Sequence, residues 1–348
     1  MGPYLTTIML MSLGLGTTIV FSSHHWMLAW MGLEINTLAM IPLMAQKPHP
    51  RPVEAATKYF LTQAAAALVI LFAAILNSWS TGQWFTSFMV QPLPLLILSL
   101  GLAMKIGLAP LHFWLPEVMQ GLTLTTGLIL ATWQKLAPFV LLIQITPNDP
   151  KIMVMLGLLS ILAGGWGGLN QTQLRKILAY SSIAHMGWMA IIVSFSPALA
   201  TLTILVYFIT TTPAFLLLNL TKTTNIGALA TSWSKTPILT MITPLLMLSL
   251  AGLPPLSGFM PKLLIITELT KQQLGGLATL AAMFTLFTVY FYLRVAYSLS
   301  LTLSPNNLAG TTPWRFTTKQ NTLPLATIAT LSMMLLPLAP AMLTLTKP

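Results

Sequence analysis

Four charged side chains stand in the middle of long apolar runs, and they are the residues of this sequence best suited to chemistry. They are Glu34, Lys105, Lys135 and Lys262. The runs are long enough to span a membrane, and a charge at that depth costs several kcal/mol unless it is paired or hydrated. Charged groups in such positions therefore predict a path for protons or ions.

Two histidines accompany these charges, and His112 and His185 are both candidates for relay groups. A purely structural role is the alternative for every member of the set. Glu34 and Lys105 could form an inert buried ion pair. The other two lysines could reach the membrane surface by snorkelling, and the histidines could be hydrogen-bonded packing residues.

Other kinds of chemistry lack their signatures. The sequence has no Ser-His-Asp set, phosphate-binding loop or glycine-rich dinucleotide motif. It has no cysteine, which excludes disulfides, thiolate metal sites and iron–sulfur clusters within the chain. A haem held by two histidines is disfavoured because one of the two deep histidines lies in a helix break. Proton or ion movement is what remains.

The energies involved fit such a task. At about 4 Å and an effective dielectric near 20, a carboxylate and an ammonium attract by roughly 4 kcal/mol. Moving one charge against 100 mV costs about 2.3 kcal/mol. Separating Glu34 from Lys105 would therefore be enough to make the lysine release its proton.

The charges lie beside two interrupted segments of matching sequence. Residues 107–117 and 252–262 share five of eleven positions in the pattern Gly-Leu-x-Pro-Leu-x-x-x-x-Pro-charged. Proline removes a main-chain donor and breaks a helix, which a membrane tolerates only where protein or a wet cavity covers the backbone. Paired interruptions of this kind point to a transporter built from repeats. The predicted break residues are Gly107, Pro110, Gly252, Pro254, Pro255 and Gly258.

The composition requires a membrane. The 348 residues are 55% hydrophobic and only 6% charged, and the mean hydropathy is +0.82. No soluble domain covers its surface with so few charges. The net charge of +11 is scattered between the apolar runs rather than gathered in a stripe, so we do not expect a nucleic-acid partner.

Eleven apolar segments are long enough to span, which predicts an all-α polytopic membrane protein with a single transmembrane domain over 1–348. The predicted segments are 3–22, 25–45, 54–78, 93–118 (broken), 123–145, 152–170, 174–194, 198–220, 238–271 (broken), 275–300 and 323–346. Helices one to five (about 1–150) and six to ten (about 151–300) form two repeats, each with a broken fourth helix. Because five is odd, the repeats have inverted topology, and the helix at 323–346 is additional.

Loop charges predict an orientation. Nine basic residues fall on the side of the N-terminus: Lys47, Arg51, Lys58, Arg175, Lys176, Lys222, Lys235, Arg315 and Lys319. Three fall on the opposite side: Lys151, Lys271 and Lys347. Positive charge is retained on the cytoplasm-like side, so the N-terminus belongs on that side, or on the matrix side in an organelle, and the C-terminus lies across the membrane.

Taken together, these residues resemble the antiporter-like membrane subunits of respiratory complex I, specifically the animal mitochondrial type. The resemblance covers essentially all 348 residues and rests on Glu34, on Lys135 before Leu-Ala-Pro, and on the two broken-helix motifs with Lys105 and Lys262. It implies a multi-pass protein of the mitochondrial inner membrane. It also implies proton pumping coupled to electron transfer from NADH to ubiquinone.

The resemblance implies a role for each site residue. Glu34 and Lys105 would receive the coupling signal, Lys135 would be the central relay, and Lys262 would stand at the exit half-channel. His112 and His185 would connect them through water. No cofactor or metal is implied in this chain, since flavin, iron–sulfur clusters and ubiquinone would be held by partner subunits. The partners would be other membrane subunits of complex I, including adjacent antiporter-like ones, and phospholipids.

Two further hypotheses stay open at this point. One is a free-standing cation/proton antiporter of the same superfamily. The resemblance implies that three N-terminal helices of bacterial relatives are absent here, which favours a subunit whose grooves a partner covers. The other is a passive membrane scaffold with inactive channels.

Overall fold

The computed structural model describes residues 2–46, 48–86, 89, 91–145, 150–234, 236–301 and 322–346. Within these ranges all regular secondary structure is helical, apart from two isolated β-bridges. The helices are α1 (Pro3–Ser22), α2 (Trp26–Met44), α3 (Pro50–Thr81), α4 (Pro92–Ile106), α5 (Trp114–Gly121), α6 (Leu124–Ala131), α7 (Trp133–Ile145), α8 (Lys151–Gly168), α9 (Leu174–Val193), α10 (Pro197–Thr221), α11 (Ile226–Ala230), α12 (Pro237–Ala251), α13 (Phe259–Lys271), α14 (Gly275–Leu301), α15 (Leu323–Met334) and α16 (Ala339–Thr346).

Within the described ranges, eight helices or helix runs are long and apolar enough to cross a membrane. A ninth candidate is the pair α15–α16, which bends by 64° between 323–334 and 336–342. The interrupted pairs α4–α5 and α12–α13 supply the two broken segments. Each of the eleven predicted segments thus has a helix or helix pair in the structure, and the all-α polytopic fold class is confirmed.

Two features of the helices differ from the sequence prediction. The segment predicted as one helix over 123–145 is interrupted at Thr132, between α6 and α7. The segment predicted at 323–346 is bent, because Pro337 follows α15 and cannot continue the helical ladder. Neither break carries the Gly-Leu-x-Pro motif that marks the other two.

The chain divides into two compact units. The first is Met1–Ser160 with Ala190–Pro197, and the second is Ile161–Met189 with Ala198–Pro348. The first holds α1 to α7, and the second holds α10 to α16. The repeat boundaries near residue 150 remain a prediction.

Each unit contains the same broken helix. In the first unit α4 has 15 residues, begins with a proline and is capped by Gly107, and seven non-helical residues (107–113) precede α5. In the second unit α12 also has 15 residues, begins with a proline and is capped by Gly252, and seven non-helical residues (252–258) precede α13. Both glycines have positive φ (+85° and +79°), a left-handed cap that terminates a helix without strain for glycine. Corresponding positions are 145 residues apart (252 minus 107).

In the described part of each unit there is also one isolated β-bridge, and the two bridges join corresponding loops. His25 pairs with Phe85 in the first unit, between the loops that precede α2 and α4. Gln173 pairs with Asn225 in the second, between the loops that precede α9 and α11. The duplicated bridge and the duplicated break indicate that the two units repeat one architecture.

Part of the orientation argument lies outside the described residues. This applies to five of the twelve basic residues: Lys47, Lys235, Arg315, Lys319 and Lys347. The side of the membrane on which each terminus lies therefore stays a prediction.

Candidate functional site

The first unit contains a cavity of about 20 Å³ at its broken helix. Polar side chains from α2, α3, α4 and α7 line it together with Trp114 of α5: Asn36, Thr37, Tyr59, Gln63, Lys105, Gln134 and Lys135. Two lysines in one cavity are unusual, because Lys105 is only 6% exposed and Lys135 only 3% exposed. The space is large enough to hold water.

Lys105 is held at the cavity by the end of α4. It lies in the last turn of that helix, two residues before Gly107. The carbonyls that the break leaves without helical donors are bonded by side chains: Trp114 Nε1 donates to Met104 O at 3.2 Å, and Gln63 Nε2 donates to Lys105 O at 3.4 Å. The Lys105 amine itself has no hydrogen-bond partner among the described residues.

Lys135 is presented by the interruption at Thr132. The Thr132 hydroxyl donates to Leu128 O at 2.7 Å, and Lys135 N donates to Thr132 O at 3.2 Å, which starts α7. Pro138, inside α7, cannot donate to the carbonyl one turn earlier. That proline was the one local signal from which a disturbance near Lys135 could have been predicted.

Glu34 does not line this cavity, but its charge influences the groups that do. It is half-buried on α2, between cavity-lining neighbours, and its carboxylate accepts a hydrogen bond from Thr37 Oγ1 at 3.0 Å. Its charge acts electrostatically on Lys105 and Tyr59. No ion pair within 4.0 Å joins Glu34 to Lys105 in the structure, so the two groups interact through space rather than in contact.

The second unit has two adjoining cavities that meet at one lysine and one histidine. The larger, about 20 Å³, is lined by His185, Trp188, Thr203, Tyr207, Thr210 and Lys262, among others. The smaller, about 10 Å³, is lined by Ser181, His185, Trp188, Lys262, Thr285, Thr288 and Tyr292, among others. The His185 ring packs against the Tyr207 ring with centroids 5.5 Å apart.

Lys262 is fixed by the main chain of the broken helix. It lies in the first turns of α13, and its amine reaches back to donate to Ala251 O, the last residue of α12, at 2.6 Å. A methyl group on Gly252 would come within 2.9 Å of this amine and 3.0 Å of Gly258 O. Glycine at 252 thus leaves room for the lysine as well as permitting the left-handed turn.

The two histidines differ in their relation to the cavities. His185 lines both cavities of the second unit. His112 is buried in the first break against the Phe113 ring, with centroids 4.3 Å apart, but it does not line the cavity that holds Lys105 and Lys135. The Nδ1 atom of His112 has no hydrogen-bond partner among the described residues.

All six residues expected to break the helices lie in the two non-helical segments. Those segments contain Gly107, Pro110, Gly252, Pro254, Pro255 and Gly258. The sequence reasoning missed the uncharged polar side chains that line the first cavity. Their signal was present, since Asn36, Gln63 and Gln134 are amides within apolar helices, where polar groups usually face a functional interior. Among the described residues, no group of three or more His, Asp or Glu side chains could hold a metal ion.

Comparisons with known proteins agree with this architecture. The family model for NADH:quinone oxidoreductase/Mrp antiporter transmembrane segments matches residues 23–288, and that for the NADH dehydrogenase subunit 2 C-terminus matches 289–343. NADH-ubiquinone oxidoreductase chain 2 of Tetraodon nigroviridis is 63% identical over 345 residues, which cover 99% of both chains.

Solved structures share the fold. A chain of respiratory complex I from Thermus thermophilus is 28% identical, with a TM-score of 0.83 over 98% of this chain and 81% of that one. A chain of the Mrp complex from Dietzia sp. is 16% identical, with a TM-score of 0.79 over 97% and 75%, which is a likeness of fold alone. The chain therefore belongs to the NADH-ubiquinone oxidoreductase chain 2 family, the antiporter-like membrane subunits of respiratory complex I.

Proposed function

We propose that this subunit carries protons across the mitochondrial inner membrane, driven by electron transfer from NADH to ubiquinone elsewhere in the complex. The observation that supports this most strongly is the pair of buried, lysine-bearing cavities, one in each unit at its broken helix. A buried ammonium is costly, so such groups persist where their charge is used.

In the first unit, Lys105 and Lys135 exchange a proton through water in their shared cavity. Burial makes the charged form of either amine expensive, so a small change in a nearby charge decides which of the two holds the proton. Glu34 supplies that charge without contacting Lys105. The amides of Asn36 and Gln63 orient the water.

In the second unit, Lys262 and His185 form the exit half of the path. Both face the same two cavities, whose hydroxyl-bearing linings suit bound water. The bond from Lys262 to Ala251 O defines its resting position. We assign His112 no step in this path.

The orientation of the termini follows from the loop charges, and the remaining expectations follow from the family. The N-terminus faces the matrix and the C-terminus the intermembrane space, and phospholipids surround the helices. Other subunits of complex I hold the flavin, the iron–sulfur clusters and the ubiquinone. We expect adjacent antiporter-like subunits among the neighbours, and no cofactor in this chain.

Two alternatives are separated by observation and experiment. A relative at 63% identity that is named NADH-ubiquinone oxidoreductase chain 2 does not favour a free-standing antiporter. A passive scaffold is tested by replacing Lys135 with Met in the assembled complex and measuring protons moved per electron after reconstitution into liposomes.

We expect Lys135→Met to slow proton transfer through the first unit roughly a hundredfold, since a positioned proton-transfer group is lost. The matched control is Lys151→Met, which removes an exposed lysine at the start of α8. If the ratio of protons to electrons is the same in Lys135→Met as in the control, the subunit is a scaffold.

A further inference from the structure

The second break is tied to the C-terminal helices by one buried hydroxyl. Ser257 lies in the non-helical segment between α12 and α13 and is 0% exposed. Its hydroxyl donates to the main-chain carbonyl of Ser332 in α15. Its own carbonyl accepts from Met260 N at 3.2 Å, in the turn that opens α13. Ser257 therefore joins the start of the lysine-bearing helix to a distant part of the chain.

The acceptor carbonyl is available because α15 stops there. This helix ends at Met334, so the Ser332 carbonyl belongs to the last turn, whose acceptors lack helical donors. Pro337 follows, and the chain bends by 64° into α16. The bend thus creates the acceptor that the break uses.

The same bend packs directly behind the Lys262 cavity. Leu335, at the bend, clusters with Val206 and Met260, and all three are buried. Val206 lines the cavity that holds Lys262, and Met260 lies two residues before that lysine on α13. A movement of the bend would therefore move both the cavity wall and the helix that carries the amine.

The first unit lacks this arrangement. The residue that corresponds to Ser257, 145 positions earlier, is His112, and its Nδ1 has no partner among the described residues. The amine of Lys105 precedes its break and also has no partner there. Among the described residues, the second unit alone combines a break that is hydrogen-bonded to another helix with a lysine that is bonded to the end of the first half-helix.

On the basis of the proton path proposed above, we propose that Ser257 is a positioning residue for Lys262. Its bond to the bent C-terminal pair fixes the break, so that the Lys262 amine stays on Ala251 O and faces the cavities shared with His185. Without that bond the break relaxes, and the amine spends less time in the position from which it exchanges its proton.

The test compares variants of the whole assembled complex in liposomes, with protons moved per NADH oxidised as the readout. We expect Ser257→Ala to slow proton movement about fivefold at equal NADH oxidation, the ratio that loss of one ordinary hydrogen bond gives. The matched control is Ser249→Ala. Ser249 is also 0% exposed and close to the break, but its hydroxyl bonds Leu246 O within its own helix.

A second variant shows whether a loss in Ser257→Ala comes from this contact or from misfolding. Pro337→Ala restores a main-chain donor and straightens the bend, so it removes the same tie from the other side. We expect the double variant with Ser257→Ala to be no worse than either single one, because both act on one contact. Additive losses, or a ratio for Ser257→Ala equal to that of the control, would overturn the proposal.

Lys262→Met, measured in the same way, distinguishes failure of the positioning role of Ser257 from failure of the proton path through the second unit. A lowered ratio in Lys262→Met with a normal ratio in Ser257→Ala overturns the positioning role alone. Normal ratios in both overturn the proton path through the second unit, and the positioning role with it.

Discussion

The two units carry their lysines on opposite sides of the same break. Lys105 precedes Gly107 at the end of the first half-helix, whereas Lys262 follows Gly252 in the second half-helix. Because the two repeats are offset by 145 residues, the position of Lys262 corresponds to Glu117 in the first unit. Glu117 forms a salt bridge with Lys58 at 2.7 Å, and both side chains are about half exposed. One architecture has therefore been given two different charge patterns.

The main-chain carbonyls that lose their helical donors at the two breaks are therefore hydrogen-bonded by different groups. In the first unit the neutral donors Trp114 and Gln63 take this task, and the lysine amine is left to the cavity. In the second unit the lysine amine itself bonds the carbonyl of Ala251. We infer that Lys105 is free to exchange its proton without disturbing the backbone, while Lys262 couples its proton to the geometry of its break.

Alanine substitutions of the glycines at the two breaks are expected to show the largest difference between the two units. Alanine at either position is strained by about 1–2 kcal/mol, because φ is positive at both. At Gly107 the added methyl group meets Leu115 Cδ1 at 3.0 Å, which can move aside. At Gly252 it meets the Lys262 amine at 2.9 Å. We expect Gly252→Ala to abolish proton movement and Gly107→Ala to reduce stability only, measured as protons per NADH and as the thermal midpoint of the complex.

Equal losses of pumping in the two alanine variants would show that the breaks respond to strain in the same way, and the contrast between the units would fail.

Removal of each lysine separates function from stability. Lys262→Met leaves a buried carbonyl without its donor, which costs about 1–3 kcal/mol of stability. Lys105→Met removes a buried amine that has no partner among the described residues, so we expect unchanged or higher stability. The measurement is the thermal midpoint of the purified complex, with Lys271→Met, a 72% exposed lysine side chain on the same helix as Lys262, as the control. A larger loss in Lys105→Met would contradict the comparison.

Replacement of the Trp114 indole in the first unit is expected to have a smaller effect. Phe259 stands in the second unit where Trp114 stands in the first. Trp114→Phe removes the donor to Met104 O and should cost about 1 kcal/mol. Proton movement should fall slightly, since Gln63 still holds the neighbouring carbonyl. An effect as large as that of Lys135→Met would mean that the indole takes part in transfer itself.

The smallest structural effect is expected for Glu34→Gln. The glutamine retains an oxygen that can accept from Thr37 Oγ1, so the complex should assemble normally. The charge that acts on Lys105 is lost, so turnover or pumping should fall a few-fold. Assembly is read from the yield of intact complex and pumping from liposomes. A defect confined to assembly would make Glu34 a structural residue.

The sequence was sufficient for the broken helices and the central lysines. Gly-Leu-x-Pro motifs act locally on the backbone, and a charge in an apolar run is visible without any knowledge of packing. This is why both breaks could be located within residues 107–117 and 252–262, and why Lys105, Lys135 and Lys262 could be singled out.

Contacts between distant helices could not be predicted in the same way. The sequence does not determine whether Glu34 contacts Lys105, because side-chain reach across two helices depends on their packing, and in the structure the carboxylate accepts a hydrogen bond from Thr37. The interruption at Thr132 arises without a glycine beside it. The bonds from Ser257 to α15 and from Gln63 to α4 join residues 75 and 42 positions apart.

The most direct test of the two-cavity path is the number of protons moved per NADH oxidised by Lys105→Met, by Lys262→Met and by the double variant, each as assembled complex in liposomes. If both cavities serve one path, either substitution should remove the same share of the protons, and the double variant should remove no more. An unchanged ratio in either single variant, or a double loss equal to the sum of the two, would contradict it.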